Sequence, residues 1–468
     1  MVIVRYPTKA PTLDNQLKKG TLDMVTTGQH STKAAAASFI GTTIEWYDFY
    51  IYGFAAALVF APLFFSGSST YVGTLSAFAT FAVGFLARPL GGLLFGHLGD
   101  RFGRRNMLVV TLMMMGIATV GIGLLPTQAQ AGIWAPVGLV LLRLVQGFAV
   151  GGEWGGAVLL AAEHAPEGRK SYFASFAQLG SPAGLVLGLL AFRGIGLFDQ
   201  STLLGWGWRI PFLISFVLLA IGLLIRTQVP ESPEFEAIRD RNRGSSAPIL
   251  EVIKSWRVPI ILAVGANTFG IGTVYLFNTF LIAYATQYLS IPRAMIFDVL
   301  LWAAIANFLT MPIIARISET FRDEKQFLQI ALVWAMVMPY PLFLAMGTGN
   351  FWAILAGLVL NQLGGTATYA IIAGYLAGIF PTRVRYSAIS IAYQFCGAIA
   401  GGLTPIAGLL LAEHFPGQWW PLAAFASVQA GISLICVTLI ASYRASEEPL
   451  AQFDVTADHS VLRHTVET

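Results

Sequence analysis

Residues 96–105 read Gly96-His-Leu-Gly-Asp100-Arg101-Phe-Gly103-Arg104-Arg105, and they lie between two long apolar stretches. The glycines permit a tight turn and a close approach of the flanking segments. Asp100 can pair with an arginine or lie near a helix N-terminus. Basic residues between apolar segments are typical of a cytoplasmic loop in a membrane protein. The order of Gly, Asp and Arg is more specific than that basic character alone.

The composition of the whole chain also indicates a membrane protein. Of its 468 residues, 56% are hydrophobic and 11% are charged, and the mean hydropathy is +0.68. A soluble domain carries about 25% charged residues. The apolar content excludes a disordered chain, and the two cysteines exclude a disulfide-stapled secreted domain.

Twelve stretches are long and apolar enough to span a bilayer, which takes about 20 residues to cross ~30 Å of hydrocarbon. They cover residues 36–65, 72–97, 107–126, 134–161, 172–197, 210–227, 259–286, 294–315, 327–346, 351–379, 387–411 and 420–442. The sequence therefore predicts an all-α integral membrane protein with twelve transmembrane helices.

A long, charged segment interrupted by prolines, residues 228–258, divides the spans into two pseudo-symmetric six-helix bundles. A basic segment with a proline, Pro166 or Pro381, precedes the fifth span of each half. Two related halves are typical of secondary transporters that bind their substrate at the bilayer midplane. The predicted units are an N-terminal tail (1–35), an N-terminal bundle (36–227), a central loop (228–258), a C-terminal bundle (259–442) and a C-terminal tail (443–468).

The distribution of basic residues predicts the orientation. With a cytoplasmic N-terminus, 23 of the 28 Lys and Arg residues fall in cytoplasmic segments. This positive-inside bias predicts that both termini and the central loop are cytoplasmic. We expect a multi-pass protein of the plasma membrane, specifically a bacterial inner membrane.

Two further motifs lie inside predicted spans. The first span contains Glu45-Trp-Tyr-Asp48-Phe, and the fourth contains Arg143-Leu-Val-Gln146-Gly147 followed by Gly151-Gly152-Glu153-Trp154. Together with residues 96–105, these motifs resemble the metabolite:proton symporter branch of the major facilitator superfamily. The branch includes shikimate, 2-oxoglutarate and proline/betaine permeases, and the similarity is closest to its shikimate-transporter-like members. The resemblance implies the major facilitator fold and transport by alternating access.

Charged side chains inside the predicted spans indicate function, because each costs roughly 2.5–3.5 kcal/mol at a helix centre. Asp48 and Arg143 are predicted at comparable depth. A carboxylate near Arg stays ionised, and it takes up a proton when the two separate in apolar surroundings. The resemblance extends this proton-coupling role to Asp48 and Arg143. Glu45 and Glu153 are the alternative proton sites, and a static buried pair is the structural alternative.

Substrate recognition is predicted to involve Arg88 and Arg143, because a guanidinium binds a carboxylate bidentately. Alternatively, Arg88 reaches toward the membrane surface along its own stem. The other predicted substrate contacts are Tyr52, Gln146, Trp154 and Gln178. A cytoplasmic gate is predicted from Gly96, Asp100, Arg101, Gly103, Arg104, Arg105, Glu163 and Arg169.

These features predict a proton-coupled symporter that imports a small polar organic solute, in the first place a carboxylate. The alternatives are a symporter for a zwitterion such as betaine or proline, and a non-transporting receptor or sensor. No P-loop, H-E-x-x-H motif or Cys/His cluster occurs in the sequence, so we expect no enzyme activity, cofactor or metal. The expected partners are the solute, protons and the lipid bilayer, with no nucleic acid and no obligate protein partner.

Overall fold

The computed structural model describes residues 13–102, 104–151, 170–196, 199–227, 256–377, 379–380 and 382–440. Within these ranges the chain forms helices joined by short turns, and it forms no β-strand. The long helices are α1 (Leu13–Leu58), α2 (Thr70–Phe102), α3 (Arg104–Leu124), α4 (Trp134–Gly151), α5 (Lys170–Ile195), α6 (Ile210–Thr227), α7 (Arg257–Tyr288), α8 (Arg293–Ser318), α9 (Glu324–Met346), α10 (Phe351–Ala377), α11 (Thr382–His414) and α12 (Trp420–Ile440). Short helices at Phe60–Phe64, Gln128–Ala131, Gln200–Gly205 and Gly207–Arg209 connect some of them.

Eleven of these helices are long and apolar enough to cross a membrane in the described part of the chain. The remaining long helix, α1, carries Glu45 and Asp48 in its buried segment, and these carboxylates lower its mean hydropathy. The predicted all-α membrane fold with twelve helices is therefore confirmed. The predicted central loop lies outside the described residues, except for the stretch that begins at Trp256.

Two helix boundaries differ from the prediction. Helix α1 begins at Leu13, within the predicted N-terminal tail. Helix α2 continues to Phe102 and α3 begins at Arg104, so the described residues of 96–105 are helical rather than a loop. Glycine lowers helix propensity by only about 1 kcal/mol, which packing against neighbouring helices can override.

The N-terminal helices, α1–α6, pack through close backbone contacts. Along α1 and α5, a Cβ at Gly184 would lie 2.7 Å from the Thr43 carbonyl oxygen. Along α2 and α4, a Cβ at Gly147 would lie only 1.8 Å from the Gly84 carbonyl oxygen. Only glycine permits this second approach, and it brings buried side chains of α2 and α4 to the same depth.

The C-terminal helices, α7–α12, include three π-helical segments that the sequence analysis did not predict. Two lie in α7, at Leu276–Phe280 and Tyr284–Tyr288, and one lies in α11, at Gly397–Gly401. A π-helical turn changes the backbone hydrogen bonding of the helix and is frequent at functional sites. Helices α7 and α11 pack against each other at these segments, because a Cβ at Gly401 would lie 3.2 Å from Tyr275.

The two sets of helices meet along α5–α8 and α2–α11. We call the end of the molecule that carries Leu58 and Arg293 the Leu58 end. There, Phe192 of α5 stacks on Phe297 of α8 with ring centroids 6.1 Å apart, and Arg193 forms an ion pair with Asp298. Nearer the opposite end, the side chain of Gln394 in α11 donates to the Gly151 carbonyl of α4, at 2.9 Å.

Candidate functional site

Asp48 lies in the interior of the N-terminal helices and is 1% exposed. Each of its carboxylate oxygens accepts a hydrogen bond from a hydroxyl on a neighbouring helix. Thr119 of α3 donates to Oδ2 at 2.7 Å, and Ser215 of α6 donates to Oδ1 at 2.6 Å. The site therefore holds a carboxylate in a dry environment with hydroxyl donors at both oxygens.

Arg143 of α4 is completely buried and is linked to this carboxylate through two intermediate side chains. Its Nη1 donates to Gln146 Oε1 at 3.0 Å. Gln146 Nε2 donates to Thr119 Oγ1 at 2.7 Å, and Thr119 donates to Asp48. Each of these three hydrogen bonds is therefore donated in the direction of Asp48. The structure thus brings the predicted pair into one network, with Gln146 and Thr119 between them.

Aromatic rings surround both buried arginines. The Arg143 guanidinium carbon lies 4.1 Å from the ring centroid of Tyr52 and 4.6 Å from that of Phe49. The Arg88 guanidinium carbon lies 4.2 Å from the Phe49 centroid and 4.1 Å from that of Phe85. Cation–π contacts stabilise a cation in desolvated surroundings while leaving its N–H groups available for an anion.

Several donors of these guanidiniums have no acceptor among the described residues. They are Nε of Arg88, and Nε and Nη2 of Arg143. Arg88 is 4% exposed, so its guanidinium lies inside the protein and does not extend to the membrane surface. A buried donor without a partner is costly, so these three groups are the least satisfied donors of the two guanidiniums.

Tyr275 contributes to the same region from the C-terminal helices. Its ring lies edge-on to those of Phe81 and Phe85, with centroids 5.4 and 5.0 Å apart. It interacts electrostatically with Arg88 and Arg143, and its hydroxyl lies close to Arg88 without forming a hydrogen bond of good geometry. The two sets of helices therefore meet at the arginines.

The other predicted residues of the described part lie around this centre. Glu45 is 5% exposed, lies one turn before Asp48 and interacts electrostatically with Tyr275. Tyr52 donates to Thr80 Oγ1 at 2.7 Å. Gln178 lies on one wall of a small cavity between the two sets of helices. That cavity is lined by Gln178, Asn267, Tyr369, Ile372, Leu376, Ile389 and Tyr393.

Some predicted residues cannot be placed. Glu153, Trp154, Glu163, Arg169 and Gly103 lie outside the described residues. For the other gate residues the structure describes only the helical backbone, and these are Gly96, Asp100, Arg101, Arg104 and Arg105.

Thr119 and Ser215 were not predicted from the sequence. A threonine or serine in an apolar helix is ordinarily a packing residue that bonds to its own helix backbone. Thr119 has that contact as well, because its hydroxyl lies 2.9 Å from the Met115 carbonyl oxygen. No signal in the sequence separates these two hydroxyls from the others in the spans.

Twelve long helices around a buried carboxylate–arginine network form the major facilitator fold. The crystal structure of a D-xylose–proton symporter superimposes with a TM-score of 0.68 over 87% of this chain and 97% of that chain, at 17% identity. A partially occluded inward-open structure of the xylose transporter XylE from Escherichia coli gives 0.67, over 89% and 98%, at 15% identity. At these identities the likeness concerns the fold alone.

Sequence relatives define the family. The model of the family described as "Sugar (and other) transporter" matches residues 33–260. The shikimate transporter of Escherichia coli K12 is 36% identical over 90% of this chain and 96% of its own length. The proline/betaine transporter of the same strain is 33% identical over 86% and 82%. The chain belongs to the sugar (and other) transporter family of the major facilitator superfamily, and it is a multi-pass membrane transporter, not an enzyme.

Proposed function

We propose that this transporter carries a small organic carboxylate together with a proton. One observation carries the proposal: Arg143 is completely buried, two of its nitrogens have no acceptor among the described residues, and its third is linked to Asp48. A cation held in this way recognises an anion, and a linked carboxylate can carry the proton that accompanies it.

Recognition of the solute falls to both arginines in this proposal. Arg88 and Arg143 both contact the ring of Phe49, and each guanidinium can donate hydrogen bonds to a carboxylate in this region. Charge-assisted hydrogen bonds of this kind are the strong ones. The amide oxygen of Gln394 remains for a polar group of the solute, since it lacks a partner in the described structure, and the Tyr275 hydroxyl lies beside Arg88.

A zwitterion such as betaine or proline is the second candidate solute, and an aromatic cluster supports it. The ring of Trp46 lies 5.5 Å from that of Tyr50 and stacks on Tyr275 at 6.4 Å, centroid to centroid. Such a cluster can receive a quaternary ammonium group while the arginines receive the carboxylate. The relative that is a proline/betaine transporter supports the same candidate.

In the proposed cycle, Asp48 takes up the proton and releases it on the other side of the membrane. Glu45 is the alternative proton carrier, because it is buried on the same helix. The distribution of Lys and Arg supports an orientation with both termini cytoplasmic in a bacterial inner membrane. It follows that the proton gradient drives import, by rocking of the predicted bundles 36–227 and 259–442 about the site.

The test is uptake into proteoliposomes with an imposed inward proton gradient. Labelled shikimate, 2-oxoglutarate, citrate, benzoate, betaine and proline form the panel. We expect accumulation of a carboxylate that Asp48→Asn abolishes while solute exchange persists. Accumulation that survives in Asp48→Asn and disappears in Glu45→Gln moves the proton site to Glu45.

Matched arginine variants test the anion site. Arg88→Lys and Arg143→Lys keep the charge but lose the planar guanidinium, so we expect both to lose carboxylate uptake. Arg226→Lys is the control, because Arg226 is also buried but donates to the Leu108 carbonyl at 2.8 Å, away from the site. Flux of betaine alone would favour the zwitterion. Ligand-induced stabilisation without flux of any solute would contradict transport and favour a receptor.

A further inference from the structure

Thr119 lies between Gln146 and Asp48 in the hydrogen-bond network. Its single hydroxyl accepts from Gln146 at 2.7 Å and has two acceptors within reach. These are Asp48 Oδ2 at 2.7 Å and the Met115 carbonyl oxygen at 2.9 Å. One hydrogen cannot serve both acceptors fully, so the hydroxyl has two alternative orientations.

We propose that Thr119 is a positioning residue that transmits the protonation state of Asp48 to Arg143. The inference rests on the proposed function, in which Asp48 carries the proton. It concerns a hydroxyl on α3 that contacts neither the solute nor solvent, since Thr119 is 0% exposed.

The orientation of the Thr119 hydroxyl depends on whether Asp48 is ionised or protonated. When Asp48 is ionised, Thr119 donates to Oδ2 and the chain from Arg143 through Gln146 points without interruption at the negative charge. When a proton from solvent adds to Oδ2, that oxygen becomes a donor to Thr119 Oγ1. Thr119 must then turn its own hydrogen to the Met115 carbonyl. Its oxygen now accepts from both Gln146 and Asp48, so neither the Thr119 hydroxyl nor Asp48 Oδ2 loses its partner.

This reorientation weakens the link to Arg143. In the ionised state, the chain polarises each bond in the same direction, which strengthens all of them. In the protonated state, the Gln146 amide donates to a hydroxyl that already accepts a second hydrogen, so Gln146 holds Arg143 less firmly. Arg143 is then freer to turn its Nε and Nη2 groups to an anion. Protonation and anion binding are thereby favoured together, as a symporter requires.

Other polar groups also surround Asp48. Tyr47, on the same helix, donates to the Pro211 carbonyl at 2.7 Å. Helices α3 and α6 present hydroxyls to Asp48, and α4 presents Arg143 through Gln146. Arg88 of α2, Glu45 of α1 and Tyr275 of α7 lie in the adjoining region around Arg143. Ser215 contacts the other carboxylate oxygen and does not contact Gln146, which makes it a natural control.

Infrared difference spectroscopy of the purified full-length protein in detergent tests the inference without transport. The band of a protonated carboxyl that titrates with pH and is absent in Asp48→Asn belongs to Asp48. Labelled arginine makes the guanidinium bands visible, and Arg143→Lys identifies those of Arg143. In the wild-type protein we expect the Arg143 bands to shift as Asp48 titrates.

Thr119→Val removes the hydroxyl at nearly constant volume, and Thr119→Ser restores it. In Thr119→Val we expect the Asp48 titration midpoint to move upward by about one pH unit, the size of one charge-assisted hydrogen bond. The Arg143 response should be lost in this variant and recovered in Thr119→Ser. In Ser215→Ala the midpoint should also move, but the Arg143 response should persist. If Thr119→Val does not yield monodisperse protein, Thr119→Ala replaces it.

Two results would overturn the inference: an Arg143 response that persists in Thr119→Val, or the absence of any titrating band that Asp48→Asn removes. The proposed function fails separately, in the uptake assay. A protein that moves no solute but shows the Thr119-dependent response would refute symport and leave the inference standing. Normal carboxylate uptake with an unchanged response in Thr119→Val would refute the inference alone.

Discussion

The N-terminal and C-terminal helices differ in how they contain polar groups. In the described residues, every buried charged side chain belongs to the N-terminal helices: Glu45, Asp48, Arg88, Arg143 and Arg226. Among the described side chains of the C-terminal helices, the buried polar ones are uncharged, such as Asn278 and Gln394, and these helices contain the three π-helical segments. The charged set is built on regular helices in backbone contact, whereas the uncharged set is built on helices with altered hydrogen bonding.

The physical reason for this difference is the cost of a buried charge. A charge in a dry interior needs partners at fixed distances, because a small displacement leaves it unpaired. Backbone contact between α2 and α4 provides that rigidity. Amide and hydroxyl groups tolerate a change of partner at lower cost, so π-helical segments are compatible with the C-terminal helices. We therefore expect α1–α6 to keep the buried charges at fixed positions, and α7 and α11 to change conformation more easily.

The largest effect is expected where the rigidity originates. A Cβ at Gly147 would lie 1.8 Å from the Gly84 carbonyl oxygen, whereas a Cβ at Gly365 of α10 would have no atom within 4 Å. Gly147→Ala should lower the free energy of unfolding by about 3 kcal/mol, the upper end of overpacking costs, and Gly365→Ala should leave it unchanged. Thermal unfolding of purified protein in detergent measures both. Equal melting temperatures would show that α2 and α4 can separate freely.

At the site, Arg88 belongs to the N-terminal helices and Gln394 to the C-terminal helices. Arg88→Gln removes a charged donor, so the KM for a transported carboxylate should rise at least tenfold, or about 1.5–3 kcal/mol. Gln394→Leu removes an uncharged hydrogen bond to Gly151 and should raise the KM by less than about tenfold. Initial rates of uptake at several solute concentrations distinguish the two. A larger effect for Gln394→Leu would place recognition in the C-terminal helices instead.

A smaller effect is expected for the ion pair that joins the two sets at the Leu58 end. Arg193 and Asp298 are partly exposed, with relative side-chain exposures of 47% and 31%. Exposed pairs are weak and screened by salt, so Arg193→Ala should increase opening of this end by about twofold. Labelling of a cysteine introduced at Gln287, with Cys396 and Cys436 replaced by Ser, reports the opening. Exchange of the two charges, Arg193→Asp with Asp298→Arg, should restore the wild-type rate.

The smallest effect is expected at two aspartates that cap helices outside the membrane. Asp199 accepts hydrogen bonds from Ser201 and Thr202, through backbone and hydroxyl groups, and the Ser201 and Thr202 hydroxyls hold its pKa well below the usual range. Asp323 accepts one, from the Lys325 backbone, at 2.9 Å. Asp199→Ala should therefore lower the melting temperature slightly more than Asp323→Ala.

The sign of the pH dependence follows from the lowered pKa of Asp199. A carboxyl with a lower pKa in the folded protein stabilises it fully above the unfolded value of about 3.9, and this contribution is lost as the pH falls below that value. The difference in melting temperature between wild type and Asp199→Ala should thus be constant near neutral pH and shrink in acid. A difference that grows in acid would contradict the assignment.

The fold class and the buried charged residues of the site can be predicted from the amino-acid sequence. The twelve apolar stretches predicted twelve helices, because a segment that crosses the bilayer core must satisfy its backbone hydrogen bonds internally. Asp48, Arg143 and Arg88 could be singled out since a charge within an apolar helix is costly and therefore informative. Charged residues are conspicuous within an apolar stretch, so these three could be found from the sequence.

The hydrogen bonds that connect those residues become visible in the folded protein. Thr119 and Ser215 come from α3 and α6, distant in sequence from Asp48, and hydroxyls in apolar helices carry no signal of their own. Gln146 was predicted as a solute contact, and the structure adds that its amide contacts both Arg143 and Thr119. The π-helical segments of α7 and α11 likewise depend on packing between helices, because hydrogen bonding along one helix favours the regular α form. Which partner a buried polar group finds is a property of the assembled bundle, since that partner lies on another helix.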